Sequence, residues 1–279
     1  MFHSDWHIHS EASYDAKLPL ETLIRRAGEQ GLRGFGVTDH LNFNDESFMG
    51  DLRRSAESVK KLQPQCPEMV LGVELTPIEV PLLEHIARTG TREGYVPPVQ
   101  EGPYAIELAA TREYLRSLGV RYAVGAAHWR VDRSFADHTN LAECIREWTR
   151  MQLWLAADER VTILGHPWYI GNGLWYEDFS QIPRSANEEL AAALLENGKY
   201  VECNKHFSVA PKATEKYRYQ YAEFLRELFE KGVPVTYGSD CHGKPEPDYP
   251  DFRQSPAKYL YAAGFRDGDI SDLSEKDLW

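Results

Sequence analysis

An α/β fold with mostly parallel strands, built as a barrel or a doubly wound sheet, is the class this sequence predicts. Length is the first reason: 279 residues match a single (β/α) barrel, which needs roughly 250. The second is seven short runs rich in Val, Ile and aromatic residues, separated by longer segments with helical spacing. The third is chemical, since most of those runs end in His, Asp or Glu.

The runs lie near Phe2–His9, Gly34–His40, Met69–Leu75, Arg121–His128, Val161–His166, Tyr200–Asn204 and Val233–Asp240. Between the first two, Leu20, Leu23, Ile24 and Ala27 repeat on one helical face behind Pro19. Leu190, Leu194 and Leu195 mark a second helix, stopped by Asn197-Gly198. A third spans about Glu215 to Lys231, with Tyr221, Phe224, Leu225 and Leu228 as its apolar stripe and Gly232-Val233-Pro234 as its end. No repeat or linker divides the chain, so residues 1–279 read as one domain. The stretch 77–104 holds Pro77, Pro81, Pro97, Pro98 and Pro103 with weak periodicity, and reads as a long loop able to act as a partial lid.

Composition excludes several classes. Hydrophobic residues make up 42% and charged ones 27%. No apolar run approaches the roughly 20 residues a bilayer span requires. A net charge of −12 repels a phosphate backbone, so nucleic acid is an unlikely partner. Cys66, Cys144, Cys203 and Cys241 show no CxxC pairing and read as reduced thiols. With no secretory signal visible at Met1–Ser10, cytoplasmic residence is expected.

The histidines carry the chemistry. His7 and His9 share one face of the first strand, because strand side chains alternate with a period of two. Asp5 has the same parity and is placed to orient a ligand histidine. Later runs end in Thr38-Asp39-His40, Gly72-Val73-Glu74, Ala127-His128, Gly165-His166 and Gly238-Ser239-Asp240-Cys241-His242. Parallel barrels gather their C-terminal strand ends on one rim, so these groups meet there and offer a metal site. Asp39 and His40 are adjacent and cannot both point inward along a regular strand. His40 is therefore read as the ligand and Asp39 as a supporting group.

These strings, with Ser13 and Asp15, resemble the PHP phosphoesterases, the family named for polymerases and histidinol phosphatases. The resemblance runs from end to end of the chain. It implies a distorted seven-stranded (β/α)7 barrel holding two or three divalent ions (Zn, Mn or Fe). It further implies that His7, His9, Glu74 and Asp240 hold one ion, with Glu74 bridging to a second on His128 and His166. Asp15, His40 and His242 would hold a third. Cys203 and Cys241 are read as small buried residues, not ligands.

Three divalent ions against three carboxylates and one bridging hydroxide leave a charge of about +2, which suits a phosphate monoester dianion. The expected reaction is hydrolysis of a small-molecule phosphate monoester, as by a histidinol phosphatase, with the metal-bound hydroxide as nucleophile. Arg130 and Lys205 are candidate phosphate clamps, His206 a candidate proton donor, and Trp129, Trp168 and Tyr169 candidate walls for the organic half. The alternatives are a phosphodiesterase or nuclease acting on nucleotides and, further off, an amidohydrolase-type C–N hydrolase.

Overall fold

The computed structural model describes residues 1–129, 140–168, 177–243 and 256–279. In chain order it runs β1 (Ser4–Ile8), α1 (Leu20–Glu29), β2 (Gly34–Val37), β3 (His40–Leu41), α2 (Glu46–Leu62), β4 (Met69–Leu75), β5 (Ile78–Glu79) and α3 (Val80–Thr89). Then follow β6 (Ile106–Glu107), α4 (Arg112–Ser117), β7 (Tyr122–Gly125), α5 (Leu141–Ala157), β8 (Ile163–Leu164) and α6 (Arg184–Glu196). The last are β9 (Tyr200–Asn204), α7 (His206–Val209), α8 (Glu215–Glu230), β10 (Val235–Gly238) and α9 (Ala257–Ala262).

Seven strands pair in parallel in the order β1-β2-β4-β7-β8-β9-β10. All seven fall within the runs read from the sequence. The sheet curls until β1 meets β10, where Ile8 bridges Cys241 and two hydrogen bonds cross, His9 N–H to Cys241 O at 3.0 Å and Asp240 N–H to His7 O at 2.7 Å. The result is a nearly closed (β/α)7 barrel wrapped by helices.

The interior is filled by large side chains where glycines make space. Tyr122 points inward from β7, and a Cβ on Gly36 would lie 1.6 Å from its Oη. Its hydroxyl donates instead to the carbonyl of Trp6 at 2.7 Å, satisfying the one polar atom the ring buries. Outside, Thr214 caps α8 by accepting from the Tyr217 N–H, and Tyr217, Tyr221, Phe224, Leu225 and Leu228 face the core. On α6 the buried set is Ala186, Leu190, Ala191 and Leu194. Leu195, expected in that stripe, is 43% exposed because one residue further round rotates the side chain about 100° off the face.

The 77–104 stretch is more ordered than a loop. Pro81 sits in the first turn of α3, where its missing N–H costs nothing, and Gly90 ends that helix at φ 77°. The antiparallel pair β5–β6 pins both ends of the excursion. Among the described residues, no helix is long and apolar enough to cross a membrane.

Candidate metal centre

The nine side chains named from the strand ends and the Asp15 loop converge on one rim of the barrel. His7 Nε2 and His9 Nε2 lie 3.2 Å apart. Asp240 Oδ1 stands 3.6 and 3.2 Å from them, and Glu74 Oε2 stands 3.4 and 3.5 Å away. The other Glu74 oxygen, Oε1, is 3.1 Å from both His128 Nε2 and His166 Nε2. A third group is a near-equilateral triangle: His40 Nε2 to His242 Nε2 is 3.4 Å, and Asp15 Oδ2 is 3.4 and 3.5 Å from the two.

Local backbone explains how the chain delivers them. β2 stops at Val37, and the chain re-enters the sheet as β3 against β4, with His40 in register with Glu74. Asp39 turns the other way and takes the N–H and Oγ of Ser10 at 2.6 and 2.7 Å. His166 and Asp240 adopt left-handed backbone, φ 26° and 52°, a strained conformation for residues with side chains that recurs at functional sites.

The donor set fits divalent ions. Ligands about 2.0–2.1 Å from a tetrahedral ion stand about 3.3–3.4 Å from each other, close to the separations found here. Imidazole nitrogens with carboxylate oxygens suit Zn, Mn or Fe. The bridging carboxylate is also held from the side, with His40 Nδ1 paired to Glu74 Oε2 at 2.7 Å. The ring contacts free the inward nitrogens. His128 Nδ1 pairs with Thr76 Oγ1 at 2.8 Å, and His242 Nδ1 donates to the Asp240 carbonyl at 2.9 Å. Each arrangement turns Nε2 toward the centre.

The charges are strongly coupled. Burial disfavours the Glu74 carboxylate, but the imidazoles of His40, His128 and His7 hold it well below the usual range. Burial likewise works against His40, yet Glu74 and Asp15 push its imidazole up to about 10. His9, buried and flanked by His242 and His40, is held well below its ordinary value. Protons on rings such as His40 stand where divalent ions would bring positive charge.

The centre also has a residue the strand-end pattern missed. Glu202, in the middle of β9 and 1% exposed, sits beneath the cluster. Its Oε1 accepts from His7 Nδ1 at 2.7 Å, while Oε2 accepts the His166 N–H at 2.6 Å and Asn204 Nδ2 at 3.1 Å. Asn204 Nδ2 also reaches Asp240 Oδ2 at 3.2 Å. Gly238 leaves room for this carboxylate, since a Cβ there would stand 1.9 Å from Glu202 Oε1. Asp5, expected to orient a ligand imidazole, instead accepts the backbone N–H groups of His7 and Ser239 at 3.2 and 2.9 Å. The signal for Glu202 was parity, because it shares a face with Asn204 at the strand end.

The cleft above the cluster encloses about 420 Å³ and is lined by Tyr14, Trp129 and His206 as well as the ligand groups. His206 reaches its edge with Nε2 3.2 Å from the Asp240 carbonyl. Lys205 lines a smaller neighbouring recess of about 100 Å³ behind Asp240 and His242. Trp168 is a correction: it is 0% exposed and packed in the core, not on the cleft wall. Its left-handed backbone, φ 60°, turns the chain inward, and its N–H is held by Gln152 of α5 at 3.0 Å. Arg130 and Tyr169 lie outside the described residues. Burial pushes the Cys203 thiol well above its ordinary value and the Cys241 thiol up to about 11.

Residues 5–206 match the PHP domain family, and the chain belongs to it. That places the protein in the class of metal-dependent phosphoesterases that its motifs resemble. A relative called a probable phosphatase, from Acetivibrio thermocellus, is 26% identical over 243 residues, covering 85% of this chain and 78% of its own. The fold matches the histidinol phosphate phosphatase of Lactococcus lactis subsp. lactis Il1403, solved with zinc, L-histidinol and phosphate. The TM-score is 0.66 at 17% identity, over 99% of this chain and 98% of that one.

Proposed function

We propose that the protein hydrolyses phosphate monoesters of small molecules, in the manner of a histidinol phosphatase, with two or three Zn, Mn or Fe ions. The observation that carries this reading is the set of three ligand groups with near-tetrahedral spacing, two of which share Glu74. His7, His9, Glu74 and Asp240 would hold one ion; Glu74, His128 and His166 a second; Asp15, His40 and His242 a third. Such ions lower the pKa of water and neutralise phosphoryl oxygens, and the reaction then needs no protein nucleophile.

The chain's own groups orient the ester and manage its proton. Burial and the Asp15 carboxylate push the Tyr14 phenol up to about 12, so it stays protonated at the cleft mouth and donates to a phosphoryl oxygen. His206, at the same rim, is placed to protonate the departing alkoxide. Lys205 supplies cationic charge from the adjoining recess, and Trp129 walls the side away from the ions. The family's relatives named as phosphatases support the same reading. The test is phosphate release from histidinol phosphate, sugar phosphates, nucleotides and diesters, before and after chelation. Metal-restored monoester hydrolysis is expected. Faster cleavage of diesters, or full activity after verified metal removal, would overturn it.

A further inference from the structure

Beside the ligand cleft lies a second cavity of about 560 Å³ that opens along Tyr14 and Trp129, which line both spaces. Beside Asn42, Ser47 and Arg92, its walls carry a continuous run of rings. Trp129 leans on His128 at 5.8 Å and stacks on Phe43 at 5.5 Å with 11° between planes. Phe48 meets Phe43 edge-on at 5.4 Å and Tyr14 at 5.3 Å, and Tyr14 closes the run 5.4 Å from His40. The run therefore begins and ends on imidazoles of the candidate metal centre.

An aromatic box ordinarily suits an ammonium group, because ring faces attract cations. This one already holds a cation. Arg92, carried in by the 77–104 excursion, has its guanidinium carbon 4.4 Å above Phe43 and 5.4 Å from Phe48. Asp45 answers that charge through Arg92 Nε at 2.8 Å, and its other oxygen caps α2 by accepting the Phe48 N–H at 3.2 Å. A second cation would face the guanidinium in a cavity whose lining holds no carboxylate. A flat neutral ring instead gains stacked and edge contacts from Tyr14, Phe43, Phe48 and Trp129.

We propose that this cavity receives the organic half of the phosphate ester and selects a planar ring bearing no positive charge. The proposal rests on the phosphomonoesterase reading for the position of the phosphate, but binding alone tests it. Calorimetry on the metal-loaded protein would compare three non-hydrolysable probes: 2-phenylethylphosphonate, butylphosphonate and 2-(trimethylammonio)ethylphosphonate. The phenyl probe is expected to bind about tenfold more tightly than the butyl one, with the ammonium probe weakest. Trp129→Ala and Phe43→Leu should each bring the phenyl-to-butyl ratio near one, and Arg92→Met should tighten the ammonium probe several-fold. Equal affinities, tightest binding of the ammonium probe, or no binding by any probe would overturn the proposal. Turnover of 2-phenylethyl phosphate separates the two claims. Ring preference without hydrolysis of any monoester refutes the catalytic reading alone, and hydrolysis without ring preference refutes the cavity's role alone.

Discussion

Replacing Glu202 by Gln changes one atom and should disable one metal site. Three donors converge on the two carboxylate oxygens: His7 Nδ1, the His166 N–H and Asn204 Nδ2. A Gln side chain has a single acceptor. If its oxygen keeps the His166 and Asn204 contacts, its NH2 faces His7 Nδ1, and the imidazole must carry its proton on Nε2, the atom turned toward His9 and Asp240. If the amide flips, two donor pairs collide, and the backbone N–H of His166 cannot turn away. The first arrangement leaves fewer conflicts, so the variant holds His7 in the wrong tautomer. Loss of such a supporting contact typically costs 10–100-fold in metal affinity, about 1.4–2.7 kcal/mol. Chelator competition with one metal at a time should show that loss at the His7–His9 site. The Asp15–His40–His242 group is built from contacts among its own members and should keep its ion. Unchanged affinity at every site would refute the argument.

Three further outcomes follow from the geometry. Asp15→Ala should lower metal content by about one ion per chain and reduce kcat with little change in Tm, because Asp15 is a loop residue a third exposed; elemental analysis and calorimetry check it, and loss of every ion would show the sites to be cooperative. Metal binding at pH 7.5 should release protons, since the His40 imidazole is pushed up to about 10 by Glu74 and Asp15 despite burial; titration in buffers of different ionisation enthalpy reads this, and no buffer dependence would contradict it. Asp5 is buried and its carboxyl is pushed up to about 7, so the folded state keeps a proton that the unfolded chain loses near pH 4. Its stabilising effect is therefore present in acid and lost as pH rises from about 4 to 7. Asp5→Asn should gain stability over the parent across that window, by up to about 4 kcal/mol; a constant difference in denaturation free energy would count against it.

Much of this architecture was legible in the residues, for identifiable reasons. Strand positions followed from apolar runs, and the ligand rim followed from what stood at their ends, because parallel topology forces those ends together. Trp168 was misplaced because nothing in a His-Pro-Trp string announces two left-handed residues, His166 and Trp168. Glu202 escaped because it lies inside a strand and not at its end, although its parity with Asn204 carried the information. The helix at Val80–Thr89 was hidden by Pro81, a residue that breaks a helix in its middle but opens one at its start.

The join between β1 and β10 would give bound ions a second office. A bridge, two backbone bonds and the Ser239 N–H to Asp5 contact close the barrel there, and beyond them His7 and His9 on one side face Asp240 and His242 on the other. During synthesis the first of these side chains must wait for nearly the whole chain before their partners emerge. The His7–His9–Asp240 and Asp15–His40–His242 groups are complete only once the final strand has docked, whereas Glu74, His128 and His166 need nothing from it. An ion shared between His7 and His9 on one side and Asp240 on the other would therefore act as a clasp, fastening that seam through side chains as well as backbone.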